Sequence, residues 1–450
     1  MDWQTLLSPR RLGKLDEPLA ARGPRSPFQR DYDRILFSAA FRRLQDKTQV
    51  FPLAKDDYVR TRLTHSLEVS TVGRSLGAMV GDAIVQRHPD LQTRGITAAD
   101  FGTIVAAACL AHDIGNPPFG HAGESAIQDW FTRQGTGSEY LDKHCNGAQE
   151  KADFQKFEGN AQGFRVLTRI QSSGQEGGMQ LTCAVLGAYS KYPRASIIES
   201  PNATNGISGK KFGFVQQDQK HFEQVAEAVG LMQKGDPCAW YRHPLAFLVE
   251  AADDICYRIM DVEDGFRTGH LAYSEIEGLF APVVGGESMS RANALGSEKQ
   301  RVEYLRAKAI DTAIRQAVQV FVDNEDALLA GTYDREILAD IPLAEQYRAF
   351  KALAKRKVYC VKPVVEIEAC GFRVLAGLLE CFLDAVDDAA SKGNAMSARS
   401  RSVTSLLPYG SWREGMSTVE RLHAATDTVS GMTDSFALAT YQRLYGIRLS

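Results

Sequence analysis

Two histidines and two aspartates carry side chains that hold metals, in settings that are otherwise apolar. His112 and Asp113 close an apolar run over residues 98–112 and lead straight into Ile114-Gly-Asn-Pro-Pro-Phe-Gly-His121. A polar pair at the buried end of a helix needs partners, which either a structural cap or a metal ion supplies. His65 lies in Arg60-Thr-Arg-Leu-Thr-His65-Ser-Leu-Glu68, at the head of a face carrying Leu67, Val72 and Leu76. Asp253, Tyr257 and Asp261 recur every four residues in a helical segment and so share one face. A carboxylate on that face must be paired, neutralised or metal-bound. His65, His112, Asp113 and Asp253 form a mixed nitrogen and oxygen set. It suits one divalent ion with open positions for water and a phosphate oxygen, Mn²⁺ or Mg²⁺ first, then Co²⁺, Fe²⁺ or Ni²⁺. Zn²⁺ fits less well, because it usually takes about four ligands. The chemistry expected of such a set is metal-dependent phosphoester hydrolysis.

The elements that must position these groups read as helices. Apolar residues recur at helical spacing from about Gln29 through Leu44, and Thr61 or Thr64 is placed to cap the helix that carries His65. Gly115 and Pro117-Pro118 break the chain after Asp113, and a new helix is expected from near Gly120 to Trp130. Residues 131–160 read as loop and 199–211 as a turn-rich loop. Helical patterns cover 161–172, 179–190, 217–232, 243–265, 301–330, 343–352, 364–386, 391–406 and 414–444. Lys357-Val-Tyr-Cys-Val361 reads as a short strand or a buried turn. The expectation is an all-α fold. It has an N-terminal arm over 1–27, a catalytic core over 28–275, and a C-terminal helical region over 276–450 packed on that core, with the boundary near Gly278-Leu-Phe-Ala-Pro-Val-Val-Gly-Gly286.

Composition narrows the classes. The chain has 450 residues, 44% hydrophobic and 24% charged, an ordinary globular balance. It contains no apolar stretch of the ~18 residues a membrane helix needs, and its N-terminus does not read as a secretory signal. Eight scattered cysteines without a CxxC pair suit reduced thiols in a cytoplasm. Residues 1–62 hold thirteen lysines and arginines against eight acids, a surplus able to meet nucleic acid, polyphosphate or an acidic subunit, or simply water. Phosphate-loop, zinc-deaminase and serine-elbow motifs are absent.

The motifs taken in order resemble the HD-domain phosphohydrolases, and among them the bacterial deoxynucleoside triphosphate triphosphohydrolases, the dGTPase-like branch. The segments that carry the resemblance are Arg42–Pro52, Arg60–Val69, Ala111–Glu124, Phe157–Gln162, Lys211–Phe214 and Ser430–Ala437, which span nearly the whole chain. The resemblance implies hydrolysis of a dNTP to a deoxynucleoside and inorganic triphosphate, an HD-domain helical fold and a homo-oligomer, hexamer or tetramer. A dNTP effector or single-stranded nucleic acid is a further partner to test.

The resemblance also implies roles. His121 matches a catalytic acid or base and Glu124 the carboxylate that orients it. Both sit just past the metal pair, three residues apart, where a helix-start capping contact is the alternative. Tyr257 would pack the deoxyribose and leave little room for a 2′-hydroxyl, while Asp261 would bond the 3′-hydroxyl. Read from the residues alone, Arg62 can reach a phosphate beside the metal, and Lys211, with Lys210 beside it, is a second phosphate candidate, with a merely solvated lysine as the alternative. Gln49 is placed for the 3′-hydroxyl or a base edge. Asn116 stands where some wider relatives have a histidine, so its amide can bond phosphate but not transfer a proton. Asp254 stands where eukaryotic relatives have a phosphate-binding lysine. Two other readings stay open at this level: a different HD-family phosphodiesterase or 5′-nucleotidase, and a nucleic-acid-binding scaffold with a vestigial site.

Overall fold

The structure, a computed structural model, describes residues 1–18, 23–50, 59–145, 147–408 and 411–448. Phe51 and Pro52 of the Arg42–Pro52 motif lie outside them. The described chain is predominantly helical. Its only sheet is a hairpin of Gln233–Asp236 and Ala239–Trp240, which the sequence pattern did not announce.

At the centre, helix Arg62–Arg87 packs lengthwise on helix Ala98–Ala111, with helix Pro244–Arg267 against both. The close approach is written in Gly73, Gly77 and Gly81, four apart and therefore on one face. A Cβ on Gly77 would stand 2.8 Å from the Phe101 carbonyl oxygen, and one on Gly73 would stand 2.5 Å from Cys109 Sγ. Without those side chains the backbones sink together, closer than ordinary ridge-and-groove packing permits. The antiparallel pair thereby sets His65, one turn into the first helix, beside His112, which caps the second. Thr61 is the cap of the first helix. It exchanges bonds with Thr64, whose hydroxyl accepts from the Thr61 N–H at 3.1 Å.

A second apolar core joins Phe119, Ile127, Phe131 and Phe154 to Leu375, Leu378, Phe382, Val429 and Tyr441. It seats helix Lys362–Lys392 on helix Gly120–Thr132, with helices Thr418–Ser430 and Asp434–Leu444 packed on Lys362–Lys392 in turn. Each fully buried aromatic there contributes about 1.5–3 kcal/mol by leaving water. Helix Lys362–Lys392 thus lies directly behind the helix that carries His121 and Glu124.

Several local expectations change. Residues 1–18 are not an extended arm: Trp3, Leu6, Leu7 and Leu12 are buried, and Trp3 Nε1 donates to Glu325 Oε1 at 2.8 Å. Four apolar anchors outweigh the polar, proline-rich majority. The expected loop over 131–160 contains helices Thr136–His144 and Ala148–Gln155, held by Leu141 and Phe154 in the second core. The glycine-rich stretch near 278–290 is helical over Tyr273–Asn293, with the irregularity confined to Gly285, φ 77°. Ile276, Phe280 and Val283 pin that helix despite Pro282. Around Tyr359 a turn forms rather than a strand, with Val358 buried and Cys360 exposed. The pattern over 414–444 divides at Gly431 into two helices.

Candidate active site

The Pro244–Arg267, Arg62–Arg87 and Ala98–Ala111 helices converge on His65, His112 and Asp253, whose ligand atoms all lie within 4.8 Å of one another. His65 Nε2 stands 3.2 Å, and His112 Nε2 3.5 Å, from Asp253 Oδ1. His112 Nδ1 lies 2.6 Å from the Cys109 carbonyl oxygen. Donation there fixes the tautomer and turns the Nε2 lone pair toward the cavity. Asp253 Oδ2 accepts from Lys191 Nζ at 2.7 Å. Burial disfavours the Asp253 charge, but Lys191 and His112 outweigh it and hold the carboxyl well below its usual range. Burial likewise opposes charge on His112, and Asp113 and Asp253 more than compensate, raising its pKa.

Asp113 adjoins this cluster rather than completing it. Its Oδ1 lies 3.5 Å from His112 Nε2 and accepts from Arg62 Nη1 at 2.8 Å and Asn116 Nδ2 at 2.5 Å. Burial pushes against ionisation, yet Arg62, His112 and His65 hold the pKa at about 2. Its Oδ2 is buried without a partner. A buried carboxylate oxygen with no donor is costly unless something else binds it. That orphan beside two imidazoles and a carboxylate fits a divalent cation, held by His65, His112, Asp253 and Asp113.

These groups open into a cavity of about 480 Å³ that is also lined by Gln49, Arg62, Asn116, His121, Glu124, Lys191, Lys210, Lys211, Tyr257 and Tyr359. Gln49 Oε1 and Arg62 Nε are buried there without partners. The Asn116 amide nitrogen donates one N–H to Asp113 and keeps a second donor. Lys211 Nζ pairs with Glu158 at 2.8 Å and sits 3.8 Å from Glu124. No hydrogen bond joins His121 to Glu124 among the described residues; Glu124 Oε1 accepts from the Gly159 N–H at 2.7 Å instead. The crowded wall, with Arg62 and Lys211 adding repulsion, lowers the His121 pKa. Asp261 does not reach the cavity. It is 1% exposed, lies behind Tyr359 and accepts from the Tyr359 hydroxyl. The Tyr359 ring stacks on Tyr257 with centroids 5.9 Å apart. Asp254 is paired with Arg258 Nη2 at 2.8 Å.

Lys191 and Tyr359 are two of the lining groups that sequence reasoning passed over, with Tyr192, Glu250 and Lys351 among the others. Lys191 and Tyr359 each sit in a turn just after a helix, where periodicity says nothing about which way a side chain points.

With this geometry in view, residues 62–154 match the HD domain family. The chain is 45% identical, over the whole length of both, to a deoxyguanosinetriphosphate triphosphohydrolase-like protein of Synechocystis. It is 41% identical to one of Pseudomonas aeruginosa over 99% of each chain. The chain belongs to the HD-domain, dGTPase-like family. A deoxyguanosinetriphosphate triphosphohydrolase of Yersinia pestis is a further relative, 33% identical over 93% of each chain. Membership of this dGTPase-like family and the His/His/Asp cluster make the chain an HD-domain, metal-dependent phosphohydrolase acting on nucleotides. Among the described residues no helix is long and apolar enough to cross a membrane.

Proposed function

We propose that the chain hydrolyses deoxynucleoside triphosphates, dGTP among them, to the deoxynucleoside and inorganic triphosphate. The observation that carries this reading is one cavity lined together by the candidate metal ligands, by the cations Arg62, Lys191, Lys210 and Lys211, and by the Tyr257–Tyr359 pair. The name of the Yersinia pestis relative, a deoxyguanosinetriphosphate triphosphohydrolase, supports the same substrate class.

A divalent ion held by His65, His112, Asp113 and Asp253, Mn²⁺ or Mg²⁺ first, would polarise the phosphoryl group and stabilise charge on its oxygens. Arg62, already aimed by Asp113, would present its remaining N–H groups to phosphate. His121 would protonate the departing 5′ oxygen. Its pKa is lowered by burial and by Arg62 and Lys211. An arriving polyphosphate offsets both cations, so substrate binding would favour the protonated form of His121. Glu124 would orient His121 on exchanging its present bond from the Gly159 N–H for one to the imidazole. Tyr257 would pack the deoxyribose and reject a 2′-hydroxyl. Asp261 and Gln49 would take the 3′-hydroxyl, and Asp261 would do so once Tyr359 swings aside. On the same reading the chain works as a homo-oligomer, which light scattering tests directly.

The deciding experiment incubates the purified chain with each dNTP, singly and in combination, with Mn²⁺, Mg²⁺ or Co²⁺, and separates products by anion exchange. Inorganic triphosphate is expected. Orthophosphate or pyrophosphate as the first product would assign a different HD-family hydrolase.

A further inference from the structure

The catalytic wall is tied together by a carboxylate from the far end of the chain. Asp434 opens helix Asp434–Leu444 and is 1% exposed. Its Oδ1 accepts from the Phe119 N–H at 2.9 Å. Its Oδ2 accepts from the Thr48 N–H at 3.0 Å and from the Thr48 hydroxyl. Both partners matter. Thr48 precedes Gln49 and lines the cavity with it. Phe119 is the N-cap of helix Gly120–Thr132 and has φ 64°, a left-handed conformation that a residue with a side chain keeps only when its surroundings enforce it. Two residues on stands His121.

Neighbouring bonds run the same way. Lys47 Nζ donates to the Asn116 carbonyl and, at 3.0 Å, to the Ser430 carbonyl. The Ser435 hydroxyl donates to Asp46 Oδ1 at 2.9 Å. The corner between the last two long helices therefore grips both the Asp46–Gln49 segment and the turn after Asp113. None of these residues belongs to the candidate ligand set, and none is explained by the chemistry proposed above.

We propose that Asp434 is a positioning residue for the active site: its two carboxylate oxygens join the Thr48-Gln49 wall to the turn that launches the His121 helix. A carboxylate fits this place. Three donors converge on two oxygens, and an amide would turn an N–H against one of them. Asp434→Asn therefore keeps shape while cutting one strut.

The kinetic effects rest on the triphosphohydrolase reading; amide exchange does not. Measured on the full chain, Asp434→Asn should keep the wild-type melting temperature within a few degrees and the wild-type metal content. Its kcat should fall roughly tenfold or more, the loss of one charge-assisted bond at the proton-transfer side. Hydrogen–deuterium exchange over 114–122 should rise while exchange over 250–258 stays unchanged. Thr48→Val, which removes the hydroxyl strut alone, should raise KM several-fold, at about twofold change in kcat or less. Wild-type kcat and wild-type exchange at 114–122 in Asp434→Asn would overturn the assignment. So would a loss of protection spread evenly over the whole chain. If Asp434→Asn does not fold, Thr48→Val decides: unchanged KM together with unchanged exchange over 44–50 refutes it. A wild-type chain without triphosphohydrolase activity but with the localised exchange change would sink the proposed reaction and leave the tether standing.

Discussion

Asp261→Asn tests the electrostatics of the sugar end. Asp261 lies on the face of Asp253 but is sealed behind Tyr359, whose hydroxyl donates to Oδ2. Burial lifts its pKa to about 8, with Asp264 adding to the rise and the Tyr359 hydroxyl and Arg60 opposing it. In the unfolded chain the same group titrates near 3.9. Between those values the folded state holds one more proton than the unfolded state. Stability from this group is therefore full below about pH 4 and falls as pH rises, by about 1.4 kcal/mol per pH unit, until the folded carboxyl ionises near 8. Asparagine occupies the same volume, accepts from Tyr359 and carries no such proton. Relative to wild type, Asp261→Asn should therefore gain on the order of 3 kcal/mol between about pH 5 and about pH 7. The assay is urea unfolding of the metal-free wild-type and variant chains across that range, comparing midpoints at equal slopes. Parallel stability curves would refute the reasoning. Asp261 would then be ionised in the fold and available as a plain acceptor.

The remaining expectations are briefer. His121→Ala should keep bound metal but lower kcat by roughly 10²–10⁴-fold, measured by steady-state kinetics; an unchanged kcat removes its proton role. Tyr257→Ala should narrow the preference for dNTP over rNTP, read as the ratio of kcat/KM values, and an unaltered ratio would argue against the sugar gate. Arg62→Met leaves the buried Asp113 carboxylate without its cation and should cost about 3–5 kcal/mol of stability in metal-free protein, seen in calorimetry as a lower Tm.

What was legible in the sequence was mostly what periodicity encodes. The helices bearing His65, His112 and Asp253 announce themselves by apolar spacing, and the four-residue recurrence of Asp253, Tyr257 and Asp261 does place them on one helix. Local pattern failed where distant packing decides. Trp3 is buried because Glu325 and the central helices wait for it, which no N-terminal window can show. Helices Thr136–His144 and Ala148–Gln155 form because Leu141 and Phe154 find the C-terminal core. At the site, spacing named the groups but not their commitments. Asn116 donates to Asp113, Lys211 donates to Glu158, and Asp261 accepts from Tyr359. Lys191 and Asp434 lie 62 and 315 residues from the atoms they bind. Contacts of that range leave no periodic trace.

The central claim is a divalent ion held by His65, His112 and Asp253 with Asp113 alongside. Manganese titration followed by electron paramagnetic resonance, on wild type and on His65→Ala, His112→Ala and Asp253→Ala, tests it most directly. One tightly bound Mn²⁺ per wild-type chain, lost or greatly weakened in all three variants, is the predicted result. Wild-type occupancy in every variant would contradict it.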